Sequence, residues 1–203
     1  MKTDPAFRRK RRVISNAGYY LMHADVLKII DACTQVRDRV LIETLAFTGI
    51  RRAEVAGLTV DDILWKKGLL HIRHGKGDKQ RFVPLPTKLL NGFREILGSR
   101  PTGFIFESKK GGSLSLRQIN RIVAKAGQRA QVENPNPKYK NITCHLFRHT
   151  FARLWKAKQG SIESLSVIMG HQSVRTTWDV YGRESIEDIR ENYNQTIKKM
   201  FGE

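Results

Sequence analysis

The chain has 203 residues, 40% hydrophobic and 28% charged, a balance that suits one compact globular unit and excludes a disordered polymer. Lys and Arg number 37 against 19 Asp and Glu, and the net charge of +18 makes a polyanion the natural partner, bound in a salt-sensitive way. Met1–Arg12 is basic with no apolar core after it, no apolar run is long enough to span a bilayer, and Cys33 and Cys144 lack metal or disulfide spacing, so the expectation is a cytoplasmic, nucleoid-associated protein with reduced thiols and no membrane partner.

Residues 1–20 lack an apolar period and read either as a basic arm or linker remnant, with Arg8, Arg9 and Arg11 as candidate DNA-backbone contacts, or as a solvated tail. From Leu21 the pattern turns helical. Val26, Ile29, Ile30 and Cys33 share one face, and Val36, Val40, Leu41, Thr44 and Leu45 share the face of a second helix ending at Gly49. A short helix through Arg51, Arg52, Ala53 and Glu54 stops by Gly57. Extended runs follow at Ile63–Trp65, Leu69–His74 and Arg81–Leu85, with a turn at Lys66-Lys67-Gly68 and a hairpin tip at Gly75–Lys79. They predict a small three-stranded antiparallel sheet, with Pro84 and Pro86 marking an edge strand.

Helical patterns resume with Leu90, Phe93 and Ile96, then with Leu116, Ile119, Val123 and Ala126 behind a Ser115/Gln118 cap. Gln131–Lys140, which contains Asn134-Pro135-Asn136-Pro137, reads as a loop. Helices are expected over His145–Lys158, over Ser161–Met169 closed by Gly170, and over Ser173–Tyr181. A last one, Ser185–Phe201, carries an apolar stripe of Ile186, Ile189, Tyr193, Ile197 and Met200. The fold class is therefore mainly α with a small three-stranded antiparallel sheet, residues 21–203 forming one domain.

His145 and Arg148, three apart on a helix, project from one side and can meet one phosphate: the guanidinium as a two-pronged donor, the imidazole as a donor or a base. Such a pair is by itself more often a surface contact. His145 and His149 have zinc-compatible spacing, but the Glu of HExxH is missing, so His149 reads as a hydrogen-bonded interior imidazole and no metal is expected. Gly75-Lys76-Gly77 lacks the rest of a nucleotide-binding loop. Tyr181 taken alone reads as an amphipathic ring packed on a short helix.

The constellation is more specific than its parts: Thr48-Gly49-Ile50-Arg51-Arg52-Ala53-Glu54, Gly75-Lys76-Gly77-Asp78-Lys79, His145-Leu146-Phe147-Arg148-His149-Thr150, Met169-Gly170-His171 and Thr176-Thr177-Trp178-Asp179-Val180-Tyr181. In this order it resembles the catalytic domain of the tyrosine recombinases, the phage integrase family. The resemblance implies that Arg51 and Arg148 clamp a scissile phosphate, Lys76 protonates the leaving 5′ oxygen and Tyr181 is the nucleophile. It also implies that His145 assists proton transfer from the phenol, that His171 bonds the phosphate or braces the site, and that Glu54 orients its neighbours. Lys79 and Arg81 are further candidate DNA contacts. Fixed cations compensate the charge that builds on the phosphate oxygens, so neither a metal nor ATP is needed. The implied activity is site-specific recombination of double-stranded DNA through a 3′-phosphotyrosyl ester. A tetramer would assemble on DNA, with the Ser185–Phe201 helix docked either on a neighbouring protomer or on its own core. The alternatives are a non-catalytic DNA-binding relative and a topoisomerase IB-like relaxing enzyme. Members of the family place a helical DNA-clamping domain ahead of the catalytic one; a catalytic fragment and a naturally short enzyme both fit what precedes Leu21.

Overall fold

The structure, a computed structural model, describes residues 18–73, 80–171, 173–178 and 181. The arm with Arg8, Arg9 and Arg11, the hairpin tip with Lys76 and Lys79, and the Ser185–Phe201 helix lie outside the described residues.

Helix α1 (His23–Asp31) buries Val26, Ile29 and Ile30, as its period requires. Helix α2 (Val36–Thr48) is buried well beyond one stripe, with Val40, Leu41, Ile42, Glu43, Thr44, Leu45 and Thr48 all inside. The reason is its central place, packed against α1, α3 (Arg52–Gly57), α4 (Thr87–Leu97) and α6 (Cys144–Ala157). Glu43, fully buried among these helices, is paired with Arg39 at 3.5 Å and Lys88 at 3.3 Å. Gly49 closes α2 at φ 61°, and a Cβ there would stand 2.5 Å from the Phe151 ring, so this residue must be glycine.

After α3, one turn of 3-10 helix at Val60–Asp62 leads into the sheet; nothing in the apolar pattern announces it. The Asp62 carboxylate holds it by accepting from the Thr59 N–H and hydroxyl, both at 2.8 Å. Strands β1 (Ile63–Leu64), β2 (Leu69–Ile72) and β3 (Arg81–Pro84) form an antiparallel sheet in sequence order, so β3 is an edge as its prolines predict. The register sets Leu70 opposite Val83 and Ile72 opposite Arg81. Alternation along β3 then turns Arg81 and Val83 inward while Phe82 and Pro84 face out.

On α4 the buried stripe is Leu89, Phe93 and Leu97, with Leu90 and Ile96 at its margin, a rotation from the expected face. Gly92 explains it, since a Cβ there would lie 3.0 Å from Val40 and the helix turns that side to α2. Helix α5 (Leu116–Arg129) starts at the expected reciprocal cap: the Gln118 N–H donates to Ser115 Oγ at 3.2 Å and the Ser115 N–H to Gln118 Oε1 at 2.8 Å. Ile119, Val123 and Ala126 are buried, whereas Leu116 is exposed in the first turn. In the loop that follows, Asn134 and Asn136 accept from backbone N–H groups two residues on.

Helix α6 is capped by Thr143, and α7 (Ile162–Met169) by Ser161, ending at Gly170 with φ 63°. Helix α8 covers Val174–Thr177. Most apolar residues form one core, but Ala152, Leu165, Met169 and Tyr181 form a second small cluster, bordered by Phe151 and Trp155, which pack on both. No described helix is long and apolar enough to cross a membrane.

Candidate active site

Three arginines from distant segments converge on the end of α7. The Arg81 Nε donates to Ile168 O at 2.8 Å, Arg148 Nη2 to Met169 O at 2.7 Å and Arg51 Nη2 to Gly170 O at 3.3 Å. These successive carbonyls belong to the unsatisfied, partly negative end of a helix, which suits cations. The end of α2 does the same for Arg148, whose Nη1 donates to Gly49 O at 2.7 Å. Both helices stop at a glycine with positive φ, and a Cβ on Gly170 would lie 2.9 Å from the Arg81 guanidinium.

Glu54 joins two of these arginines. Its carboxylate accepts from both Nη atoms of Arg81, at 2.9 and 2.8 Å, from Arg51 Nη1 at 3.0 Å and from the Arg51 N–H at 2.7 Å. Burial alone would raise its pKa, but the hydrogen bonds from Arg81 and the Arg51 backbone prevail and lower it. Arg148 is pulled down to about 10 by burial and by the Arg51 charge beside it, and is still a cation at neutral pH. Held by carbonyls, Arg148 cannot swing away to water, and its remaining N–H groups stay aligned.

His171 follows Gly170. Its Nε2 lies 3.1 Å from Arg148 Nη2 and its Nδ1 lies 2.7 Å from Thr177 Oγ1. A guanidinium only donates, so Nε2 accepts, the ring proton is on Nδ1 and points to Thr177, and His171 braces Arg148. Burial and the charges of Arg148, Arg51 and Arg81 pull its pKa down to about 4, which keeps it neutral in that role.

The Tyr181 hydroxyl is 2.8 Å from His149 Nδ1, and His149 Nε2 is 2.8 Å from His145 Nε2. Tyr181 is only 3% exposed, its ring in the small cluster with Ala152, Leu165 and Met169. Burial pushes the phenol up to about 12, against the downward pull of Arg148 and Arg153. His149 is pulled down to about 4 by burial, by His145 and by Arg148; His145 is lowered by burial and Arg148.

A cavity of about 650 Å³ opens beside these groups, lined by Arg51, Arg148, His145 and His149 at one end and by Asn120, Asn134 and Tyr139 among others. The arrangement can hold an anion between Arg51 and Arg148 and move a proton from a buried phenol through two imidazoles.

Of the residues singled out from the sequence, Arg51, Arg148, His145, His171, Tyr181 and Glu54 are brought together. Arg81 is corrected. Expected on DNA, it is 8% exposed and spends its donors on Glu54 and Ile168 O, because strand alternation turns it inward with Val83. His149, read as an interior imidazole, is indeed buried but stands in direct contact with the phenol, the place expected of His145. Lys76 and Lys79 lie outside the described residues.

Comparison with known proteins gives a consistent picture. A model described as "Phage integrase family" matches residues 19–187. Among curated relatives, tyrosine recombinase XerA of Pyrococcus furiosus is 30% identical over 178 residues, covering 84% of this chain and 59% of that protein. Tyrosine recombinase XerC of Pelobacter propionicus is 32% identical over 168 residues, covering 81% of this chain and 53% of that one. The chain thus spans little more than half the length of these relatives. A crystal structure of XerA recombinase superposes with a TM-score of 0.73 at 27% identity, over 87% of this chain and 63% of that one. XerH site-specific recombinase bound to its difH substrate superposes with a TM-score of 0.70 at 23% identity, over 86% and 53% respectively, a likeness of fold.

Proposed function

Because the chain belongs to the phage integrase family, we propose that it is a site-specific tyrosine recombinase that cuts and rejoins double-stranded DNA through a 3′-phosphotyrosyl intermediate, without metal or ATP. Arg51 and Arg148 clamp the non-bridging oxygens of the scissile phosphate and compensate the charge that grows there during in-line attack. Tyr181 supplies the nucleophile. The ester keeps the energy of the broken bond, so the 5′ hydroxyl of another strand can reverse the step. Lys76 protonates the departing 5′ oxygen, Lys79 and the arm residues Arg8, Arg9 and Arg11 add phosphate contacts, and four chains assemble on two DNA sites through Ser185–Phe201. Recombinases of known structure in complex with DNA include XerH on difH and lambda integrase on a core site, which supports duplex DNA as the partner here.

The observation that carries this reading is the convergence of Arg51 and Arg148 on one cavity into which His145 and His149, wired to Tyr181, also open. Tyr181 is buried and does not itself line that cavity, so the phenol has to leave its apolar cluster to reach the phosphate. Incubation with nicked duplexes containing a randomised stretch should trap a covalent protein–DNA adduct that Tyr181→Phe abolishes. An adduct of equal yield in Tyr181→Phe would remove the proposed nucleophile, and relaxation of arbitrary supercoiled plasmids would favour the topoisomerase alternative.

A further inference from the structure

The geometry points to His149 as the group that takes the phenol proton of Tyr181 and hands one on to His145, a two-imidazole relay in which His149, not His145, is the immediate base. This inference rests on the recombinase reading and adds to it a residue with no other role there.

The wiring follows from helix spacing. His145 and His149 are one turn apart on α6, so their rings meet edge to face, with centroids 4.3 Å apart and the two Nε2 atoms 2.8 Å apart. The His149 Nδ1 faces the other way, 2.8 Å from the Tyr181 hydroxyl. One consistent set of protons satisfies both contacts with a phenol that donates: Tyr181 O–H to His149 Nδ1, His149 Nε2–H to a bare His145 Nε2, and the remaining proton of His145 on Nδ1. His145 and His149 both line the cavity with Arg51 and Arg148, so the path opens where those arginines would hold a phosphate.

The step balances as follows. The phenol proton moves to His149 Nδ1 while the Nε2 proton of His149 moves to His145 Nε2, leaving His149 neutral and His145 cationic. Once released from its apolar cluster, the phenolate oxygen forms the bond to phosphorus as the P–O5′ bond breaks, and Lys76 delivers a proton to the departing 5′ oxygen. The cationic His145 then adds to the positive charge facing the phosphate. In the protein without DNA the transfer runs uphill, because burial holds both imidazoles neutral and the Arg148 charge opposes their protonation. A phosphodiester seated on Arg51 and Arg148 offsets that charge, so the relay becomes a better base only when substrate is bound.

The test uses the 203-residue chain and the nicked duplexes that wild-type protein captures covalently from the randomised pool. His149→Gln, which keeps a polar side chain but accepts no proton, should slow adduct formation by about 10²-fold or more. Replacing Tyr181 by a fluorinated tyrosine, whose phenol is more acidic, should restore at least about tenfold of the rate in His149→Gln while changing the wild type little. A purely structural loss would not respond to phenol acidity. If His149→Gln cuts within about twofold of wild type, or if the fluorinated phenol gives no rescue, the relay is wrong. Nitrogen NMR on histidine-labelled wild-type protein needs no substitution: a bare Nδ1 and protonated Nε2 on His149 are expected, and a proton on Nδ1 would make His149 a donor to the phenol and overturn the inference. A wild type that forms no adduct on any duplex sinks the recombinase reading, and this inference with it.

Discussion

Arg51, Arg81 and Arg148 meet the end of α7 through three successive carbonyls and, for two of them, through the buried carboxylate of Glu54, whereas Tyr181 rests on Leu165 and Met169 of that same helix and is held at its polar end by a single imidazole. The first region is ionic and multiply bonded; the second is a small apolar cluster with a neutral hydrogen-bond chain. The difference matches what the proposed function asks of each. An anion trap gains from cations that are fixed before the substrate arrives, since no reorganisation is then needed as charge develops. A nucleophile buried away from the cavity has to be released, and a few apolar contacts with one hydrogen bond release more easily than a paired charge. Helix α7 serves both regions, its side chains packing on Tyr181 and its end carbonyls holding the arginines.

Removing Arg81 is expected to be the largest disturbance. With its guanidinium gone, Glu54 keeps only Arg51, and Arg81→Ala should lose about 3 to 5 kcal/mol of unfolding free energy, read by urea denaturation. The pair Arg81→Leu with Glu54→Leu should recover much of that stability, since a packed apolar pair often replaces a buried ion pair at little cost. Cleavage should stay slow in the double variant because Arg51 has lost its carboxylate partner. Full recovery of both would show that the ion pair merely fills space. Next comes Arg148→Ala, which should cut covalent adduct formation by about 10² to 10³-fold, the usual cost of removing one fixed donor from a site of developing charge. A loss no greater than that of an exposed arginine such as Arg117 would break the contrast drawn above.

The elements that position the site were legible wherever the cause is local. Gly49 and Gly170 marked the ends of α2 and α7, Ser115 with Gln118 marked the start of α5, and both prolines marked β3 as an edge. The placement of the arginines on helix-end carbonyls was not legible, since Arg81 and Ile168 or Arg148 and Gly49 are joined only by the fold. One signal was available for Arg81: it has the parity of Val83 and Leu85, the inward positions of its strand, and the charge cluster around it drew the reading toward DNA instead. His149 had a weaker signal. Its spacing from His145 predicts touching rings, but that a tyrosine 32 residues later would bond the second ring and not the first is a matter of tertiary packing.

Acid should reach both regions, through one histidine in each. The pKa values of His149 and His171 are pulled from 6.5 to about 4 in the folded protein, mainly by burial. The unfolded chain therefore takes up protons as pH falls through about 6.5, while the folded chain resists until about 4. Protons favour unfolding in that interval, so stability is full above pH 6.5 and declines between 6.5 and 4, by at most about 3 kcal/mol for each histidine and by less to the extent that solvent screens it. Denaturation midpoints across this range should fall about half as steeply in His149→Asn, since His171 still titrates. The Glu54 carboxylate, with its pKa lowered, stays charged through most of the window and keeps Arg51 and Arg81 paired, whereas protonation of His171 removes the acceptor beside Arg148.

The smallest expected effect serves as the control for all of these. Ser115 caps α5 at an exposed position that belongs to neither region, and Ser115→Ala should cost about 1 kcal/mol by leaving the first turn without its acceptor. If reduced stability alone slowed cleavage, this substitution and any other of equal cost would slow it alike. The adduct rate of Ser115→Ala should instead equal that of the wild type at temperatures well below its own unfolding, while His149→Gln is slow there. Should Ser115→Ala lose cleavage in proportion to its loss of stability, the defects assigned to single side chains at α7 would have to be read as general loosening of the fold.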